Sequence, residues 1–311
     1  MRVIFMGTPD FAAPTLEAIV KAGHQVVLAV TQPDKPKGRG KQLAFSPVKE
    51  MALKCQIPVF QPDRIRKEEH LEELRKYPAD VMVVVAFGQI LPKAVLEMTP
   101  YGCINVHASL LPKYRGAAPI QWSIIDGEKE TGVTTMQMDE GLDTGDMLLK
   151  TVITIEDTET GGSLHDKLQV AGAKLLVETL KGLEAGTLKP KSQPEASPTA
   201  YAKMLDKALG DIQWEQEAKS IERLIRGLNP WPSAYSRMED KVYKIWQAEV
   251  LNQDSEALPG TITETTRDGI TVQTGKGSLR ITQLQAPGKK RMKAEEYLRG
   301  HQLEIGTVFN R

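Results

Sequence analysis

MRVIFMGTPD, residues 1–10, is an apolar run ending in Gly7, Pro9 and Asp10, the pattern of a buried strand that delivers the chain into a turn. Asp10 stands where a cap belongs, ahead of a helical pattern over residues 11–21. The same alternation continues outward from this stretch. Residues 25–31, 81–86 and 103–107 are Val- and Ile-rich runs bounded by turn residues, as strands buried on both faces are. Ser46, with Pro47 at a first helical position, opens a helix running to about Lys54. Strands alternating with helices predict an α/β domain: a Rossmann-like open parallel sheet covered on both faces. Such sheets take ligands beyond the carboxyl ends of their strands. The turn Met6-Gly-Thr-Pro-Asp10 lacks the G-x-G-x-x-G spacing that admits a pyrophosphate, which argues against a nicotinamide oxidoreductase.

A long helix over residues 163–183 closes this part. Pro190, Pro194 and Pro198 follow, a density that resists helix and sheet and predicts an extended linker. Beyond it, a helix at residues 218–227 precedes short alternating runs at 241–248, 260–263, 269–273 and 279–282. That texture fits a small OB-like antiparallel β-barrel. The expected organisation is a catalytic domain at 1–189, a proline-rich linker at 190–206 and the barrel at 207–311. Trp231, flanked by two prolines, is expected to pack rather than to stack on bases.

With 311 residues, 41% hydrophobic and 26% charged, the chain has material for two packed domains. Lys plus Arg equal Asp plus Glu at 40 each, so only local basic clusters can point to a nucleic-acid partner. The two cysteines, Cys55 and Cys103, form no C-x-x-C pair, against a disulfide framework and against structural zinc. The first apolar run is too short for a signal peptide, and residues 81–87 fall far below the ~20 residues that span a bilayer. A reducing cytoplasm is the expected location.

GCINVHASLLPKYRGAAP, residues 102–119, carries the most chemistry. Side chains alternate along a strand, so Asn105 and His107 share a face at the carboxyl end, where the crevice is expected. An amide that can donate to an oxyanion, beside an imidazole that can carry a proton, suits acyl transfer. Taken alone, the pair also fits satisfied polar residues at a strand end. In MDEGLDTGDM, residues 138–147, Gly141 and Gly145 permit a tight loop that can present Asp143 to the crevice, or else a turn whose Asp residues bond locally.

Together, and in order, Asn105-x-His107, Ser109-Leu-Leu-Pro112 with Arg115-Gly116, and Asp143 in Gly-Leu-Asp-Thr-Gly145 resemble the active-site pattern of the folate-dependent formyltransferases. Residues 7–12, residues 31–42, Asn229-Pro-Trp-Pro232 and Pro287-Gly-Lys-Lys290 extend the resemblance over nearly the whole chain, toward the branch that acts on tRNA. The resemblance implies 10-formyltetrahydrofolate as formyl donor, initiator methionyl-tRNA as acceptor, and neither a metal nor an obligate protein partner. It implies that Asn105 and protonated His107 stabilise a tetrahedral oxygen, and that His107 with Asp143 moves the proton. Ser109, Leu110, Leu111 and Pro112 are the implied folate contacts, with residues 87–92 bordering the pterin.

DKPKGRGK, residues 34–41, holds four basic residues, and its proline and glycines make it poor helix or strand material. Placed after the second strand, it is expected to grip the acceptor end of tRNA through phosphates, with Arg39 and Lys41 as contacts. GKKRMK, residues 288–293, is either a second RNA contact on the barrel or a solvated turn. An amino-sugar-nucleotide formyltransferase shares the folate motif and can carry a second barrel-like domain; the basic loop favours tRNA. A purine-pathway formyltransferase has no need of the second domain. A non-catalytic RNA-binding module has no use for Asn105, His107 and Asp143 together.

Overall fold

The computed structural model describes residues 1–37 and 42–310. The chain forms two compact units, the first from residues 1–119, 130–154 and 165–202, the second from residues 120–129, 155–164 and 203 onward.

In chain order the elements begin with β1 (Arg2–Gly7), α1 (Ala13–Lys21), β2 (Gln25–Val30), β3 (Lys35–Lys37), β4 (Gln42–Ala44) and α2 (Pro47–Lys54). Next come β5 (Val59–Phe60), α3 (Glu68–Arg75), β6 (Val81–Val85), α4 (Lys93–Leu96) and β7 (Cys103–His107). After these run α5 (Pro119–Ile125), β8 (Glu130–Gln137), β9 (Met147–Thr154) and α6 (Gly161–Glu184).

The first unit is built on a seven-stranded sheet ordered β5-β2-β1-β6-β7-β8-β9. The strands from β5 to β7 are parallel, and the order reverses at β1, where an α/β crevice opens. All five residues of β6 are buried, as a sheet covered on both faces requires, each side chain stabilising by roughly 1.5–3 kcal/mol. A Cβ on Gly7 would stand 2.8 Å from both Ala12 Cβ and Val85 O, so only glycine lets β1 pass this close to β6.

Beyond β7 the parallel expectation gives way. β8 pairs antiparallel with β7, and β9 antiparallel with β8. Thr131, Thr134 and Thr135 of β8 are all buried, so polar residues occupy core positions and hide this strand from a hydrophobic pattern. Two of these hydroxyls have partners: Thr135 Oγ1 lies 2.8 Å from Thr179 Oγ1 of α6, and Thr134 Oγ1 donates to Ser109 O at 2.7 Å.

Two local expectations need correction. Asp10 does not cap α1, which starts at Ala13 after Ala12 with no side-chain cap. Its Oδ1 instead accepts from Phe11 N at 3.0 Å, spending the carboxylate on the turn itself. The basic stretch after β2 is not wholly irregular, because β3 and β4 pair antiparallel with Lys35 opposite Ala44. By contrast α2 begins as expected, with Ser46 Oγ accepting from Lys49 N at 3.1 Å.

The second unit adds α7 (Ala218–Gly227), β10 (Ala234–Met238), β11 (Lys241–Leu251), β12 (Ile262–Thr266), β13 (Gly269–Gln273), β14 (Ser278–Gln285), β15 (Met292–Lys293) and α8 (Ala294–Gly300). Its antiparallel sheet runs β10-β11-β14-β13-β12, with β15 on β14. In β11 the buried residues are Tyr243, Ile245 and Ala248; register shifts between Ile245 and Ala248 reset the alternation. Trp214 fills the core, stacked on Phe309 at 5.5 Å with its Nε1 donating to Ser236 Oγ at 2.9 Å. Helix α7 turns Ala218, Ile221 and Ile225 inward, a helical spacing. Trp231, expected to pack, is 55% exposed. Both its own peptide bond to Pro232 and the Asn229–Pro230 bond are cis.

Candidate active site

The last strand of the parallel run, β7, delivers Asn105 and His107 to one face, opposite Met136 and Thr134 of β8. They are 9% and 6% exposed. Beyond His107 the chain turns through residues 108–116 and comes back on itself, so that His107 Nε2 lies 3.0 Å from Tyr114 O. A carbonyl only accepts, so Nε2 carries a proton in this bond. On the other side of the ring, Nδ1 lies 3.7 Å from Asp143 Oδ1. The two form a charge pair only when the imidazole is doubly protonated. Among the described residues, the Asn105 amide makes no hydrogen bond with the protein, which leaves it available to a substrate oxygen.

Asp143 is held from several directions. Its Oδ2 accepts from Gly116 N at 2.9 Å, and its backbone takes a left-handed φ of 57°, a region Asp tolerates better than most side chains. Asp139 Oδ1 shapes the loop by accepting from Gly141 N at 3.0 Å and Thr144 Oγ1 at 2.8 Å. A Cβ on Gly145 would stand 1.8 Å from Gln137 O, so the loop closes only with glycine there. The two glycines singled out in the sequence thus serve the tight loop they suggested.

The four expected folate contacts lie in one short loop. Thr134 Oγ1, which donates to Ser109 O, also accepts from Leu111 N at 3.1 Å. Lys150 Nζ donates to Leu111 O. Ser109 and Leu111 are buried, Leu111 against Met136 and Met147, so these two shape the loop from inside. Leu110 and Pro112 keep partial exposure. Across the crevice edge, Phe87 O accepts from Thr8 Oγ1 and from Gln32 Nε2, both at 3.2 Å, which ties together the segments following β1, β2 and β6. Ile90, in the stretch expected to border the pterin, is 79% exposed. Among the described residues no three His, Cys, Asp or Glu side chains are grouped to hold a metal ion.

Two contributors, Thr199 and Gln193, escaped the sequence reading, and Arg115 entered it only as part of the quoted motif. Thr199 Oγ1 accepts from Tyr114 N at 2.7 Å, Arg115 is buried, and Gln193 reaches Arg115 and the Asp143 loop. Thr199 and Gln193 come from the proline-rich stretch, whose composition signals only irregular backbone; up to Ala202 it belongs to the first unit. Arg115, placed inside the SLLP–RG motif, was the one detectable signal.

The basic patches fare differently. Arg39 and Lys41 lie outside the described residues. In the second patch Gly288 turns the chain at φ 68°. Arg291 donates to Gln283 Oε1 at 2.8 Å and lies over the Trp246 ring at 5.1 Å, so part of that cluster's charge is already engaged.

The family model described as formyl transferase matches residues 1–180, and the formyl transferase C-terminal domain matches residues 204–302. A methionyl-tRNA formyltransferase of Agathobacter rectalis is 57% identical over 311 residues, covering 99% of each chain. One from Clostridium novyi is 52% identical, covering 99% of this chain and all of its own. An N-formyltransferase of Helicobacter canadensis, solved with folinic acid and dTDP-3-aminofucose, shares the fold at a TM-score of 0.68 but only 18% identity, covering 93% of this chain and 99% of its own. With both halves matched and the relatives aligned end to end, the chain belongs to the formyl transferase family, among the methionyl-tRNA formyltransferases.

Proposed function

We propose that the formyl group this chain transfers to methionyl-tRNA comes from 10-formyltetrahydrofolate, that the tRNA is the initiator, and that Asn105, His107 and Asp143 carry the transfer. The observation behind this reading is the convergence at the end of β7: an unbonded amide, an imidazole, and a carboxylate 3.7 Å from that imidazole. The methionyl amine attacks the formyl carbon, and its lone pair forms the new C–N bond. The carbon becomes tetrahedral, and its oxygen takes the negative charge. Collapse breaks the bond to the folate nitrogen, which takes up the proton lost by the attacking nitrogen.

Asn105 and protonated His107 stabilise the oxygen; removal of such a donor typically costs about 2.7–4 kcal/mol of barrier. Asp143 keeps the imidazole oriented and offsets its charge while the proton moves. Leu110 and Pro112 supply the folate wall, with Ser109 and Leu111 holding that loop in place. The donor brings an activated formyl group, so the step needs no metal. RNA is gripped by Arg39 and Lys41 and by the unit that follows the proline-rich segment, residues 207–311. The cytoplasm, where translation begins, is the site of action.

The test is single-turnover formylation with 10-formyltetrahydrofolate, offering methionyl initiator tRNA beside an amino-sugar nucleotide. Formylated methionyl-tRNA alone is the expected product. A formylated sugar would leave the chemistry in place and overturn the acceptor.

A further inference from the structure

Gln193 sits in the proline-rich segment, outside every motif that carries the family resemblance. Its amide is nonetheless fully engaged. Oε1 accepts from Arg115 Nε at 3.1 Å and from Arg115 Nη2 at 3.0 Å. Nε2 donates to Asp143 O at 2.9 Å and to Gly145 O at 2.7 Å. Two donors and two acceptor sites are all that a primary amide has.

Arg115 completes the clamp from the other side. It is 8% exposed, and two more of its N–H groups go to Pro194 O at 2.7 Å and Glu195 O at 3.0 Å. Its chain neighbours matter. Tyr114 supplies the carbonyl that meets His107 Nε2, and Gly116 supplies the N–H that meets Asp143 Oδ2. Residues 193–195 therefore stitch together two loops that carry the two partners of the same imidazole.

We infer that Gln193 is a positioning residue for formyl transfer, joining Arg115 to the backbone of Asp143 and Gly145 and thereby setting the Asp143–His107 separation. The inference rests on the proposed roles of His107 and Asp143. Gln193 touches no reacting atom. Its influence passes through the Asp143 loop, two of whose carbonyls it holds. Without the amide, the Asp143 and Gly145 carbonyls turn to water, and a misplacement of about 1 Å at a reacting group can cost on the order of a hundredfold in rate.

The experiment uses the full-length protein with Gln193→Ala, Gln193→Glu and Asp143→Ala, reading single-turnover rate, folate affinity and melting temperature. Gln193→Ala is expected to slow transfer by about tenfold or more while folate affinity stays within about twofold. Gln193→Glu keeps an acceptor for Arg115, now charged, but sets an anion against two carbonyls. Its melting temperature is therefore expected at or above that of Gln193→Ala, with transfer as slow or slower. Such a split between stability and rate is foreign to a merely structural residue. Wild-type rates in both Gln193 variants, or rate, folate affinity and melting temperature falling in proportion, would overturn the inference. If Asp143→Ala is also active, the proposed site fails first; if it is inactive while Gln193→Ala is normal, the clamp alone fails.

Discussion

At His107, replacement by alanine removes a ring that meets Tyr114 on one side and Asp143 on the other, and leaves the bonds of the 109–112 loop to Thr134 and Lys150 intact. His107→Ala should slow single-turnover transfer by ~10²–10⁴ with folate affinity near wild type. Normal turnover with weakened folate binding would remove its catalytic role. Cysteine reactivity offers a second check at this scale. Burial pushes the Cys103 thiol up to about 12, whereas Cys55 is only half-buried. Raising the value keeps Cys103 protonated well above neutral pH, and the thiolate is the nucleophile. At pH 8 a thiol reagent should therefore modify Cys55 alone in the native protein and both thiols after unfolding. Rapid native labelling of Cys103 would show that β7 opens locally. The pairing of Asn105 with His107 was legible because a strand has period two. Gln193 was not, because its partners lie 48 to 78 positions away and no spacing rule links them.

Single elements show where local rules suffice. Ser46 caps α2 just as its place before Pro47 suggests, and Ser46→Ala should cost about 1 kcal/mol in thermal or denaturant unfolding. No change in stability would mean that Thr31, whose hydroxyl lies 2.7 Å from Ser46 Oγ, or water replaces the cap. The turn before α1 obeys a different balance, since Asp10 bonds its immediate neighbour and the helix starts later with Pro14 in its first turn. Strand β8 was missed because its buried threonines look like surface residues until their hydroxyl partners are known. Gly145→Ala belongs to this scale as well. With a Cβ only 1.8 Å from Gln137 O, the loop must shift and carry Asp143 with it. Transfer should fall by about tenfold or more, and an unaltered rate would show that the loop absorbs the change away from Asp143.

Across the whole molecule, the two units are not simple successive stretches of chain. Residues 120–129 and 155–164 cluster with the second unit: Trp122 Nε1 donates to Lys203 O at 2.8 Å, Arg226 Nη1 donates to Glu159 O at 2.8 Å, and Gly162 N donates to Asn229 O at 2.9 Å. A chain cut after Ala202 would leave those groups without partners. It should melt below the full-length protein and bind a hydrophobic dye, although β7, the Asp143 loop and Gln193 all remain. A truncated protein as stable as the parent would mean that these segments do not depend on residues 203 onward. The sequence by itself determined the alternation of strands and helices, the antiparallel character of the later half, and the placing of Asn105 and His107 on one face of a strand end. All of these follow from local periodicity, turn chemistry and motif order, which are properties of neighbouring residues. Only the tertiary structure decided the antiparallel edge of the first sheet, the exposure of Trp231, and the fastening of Arg115 and Asp143 by Gln193. Those outcomes depend on which distant groups satisfy buried hydrogen-bonding atoms, a requirement that folding imposes and no short stretch of sequence contains.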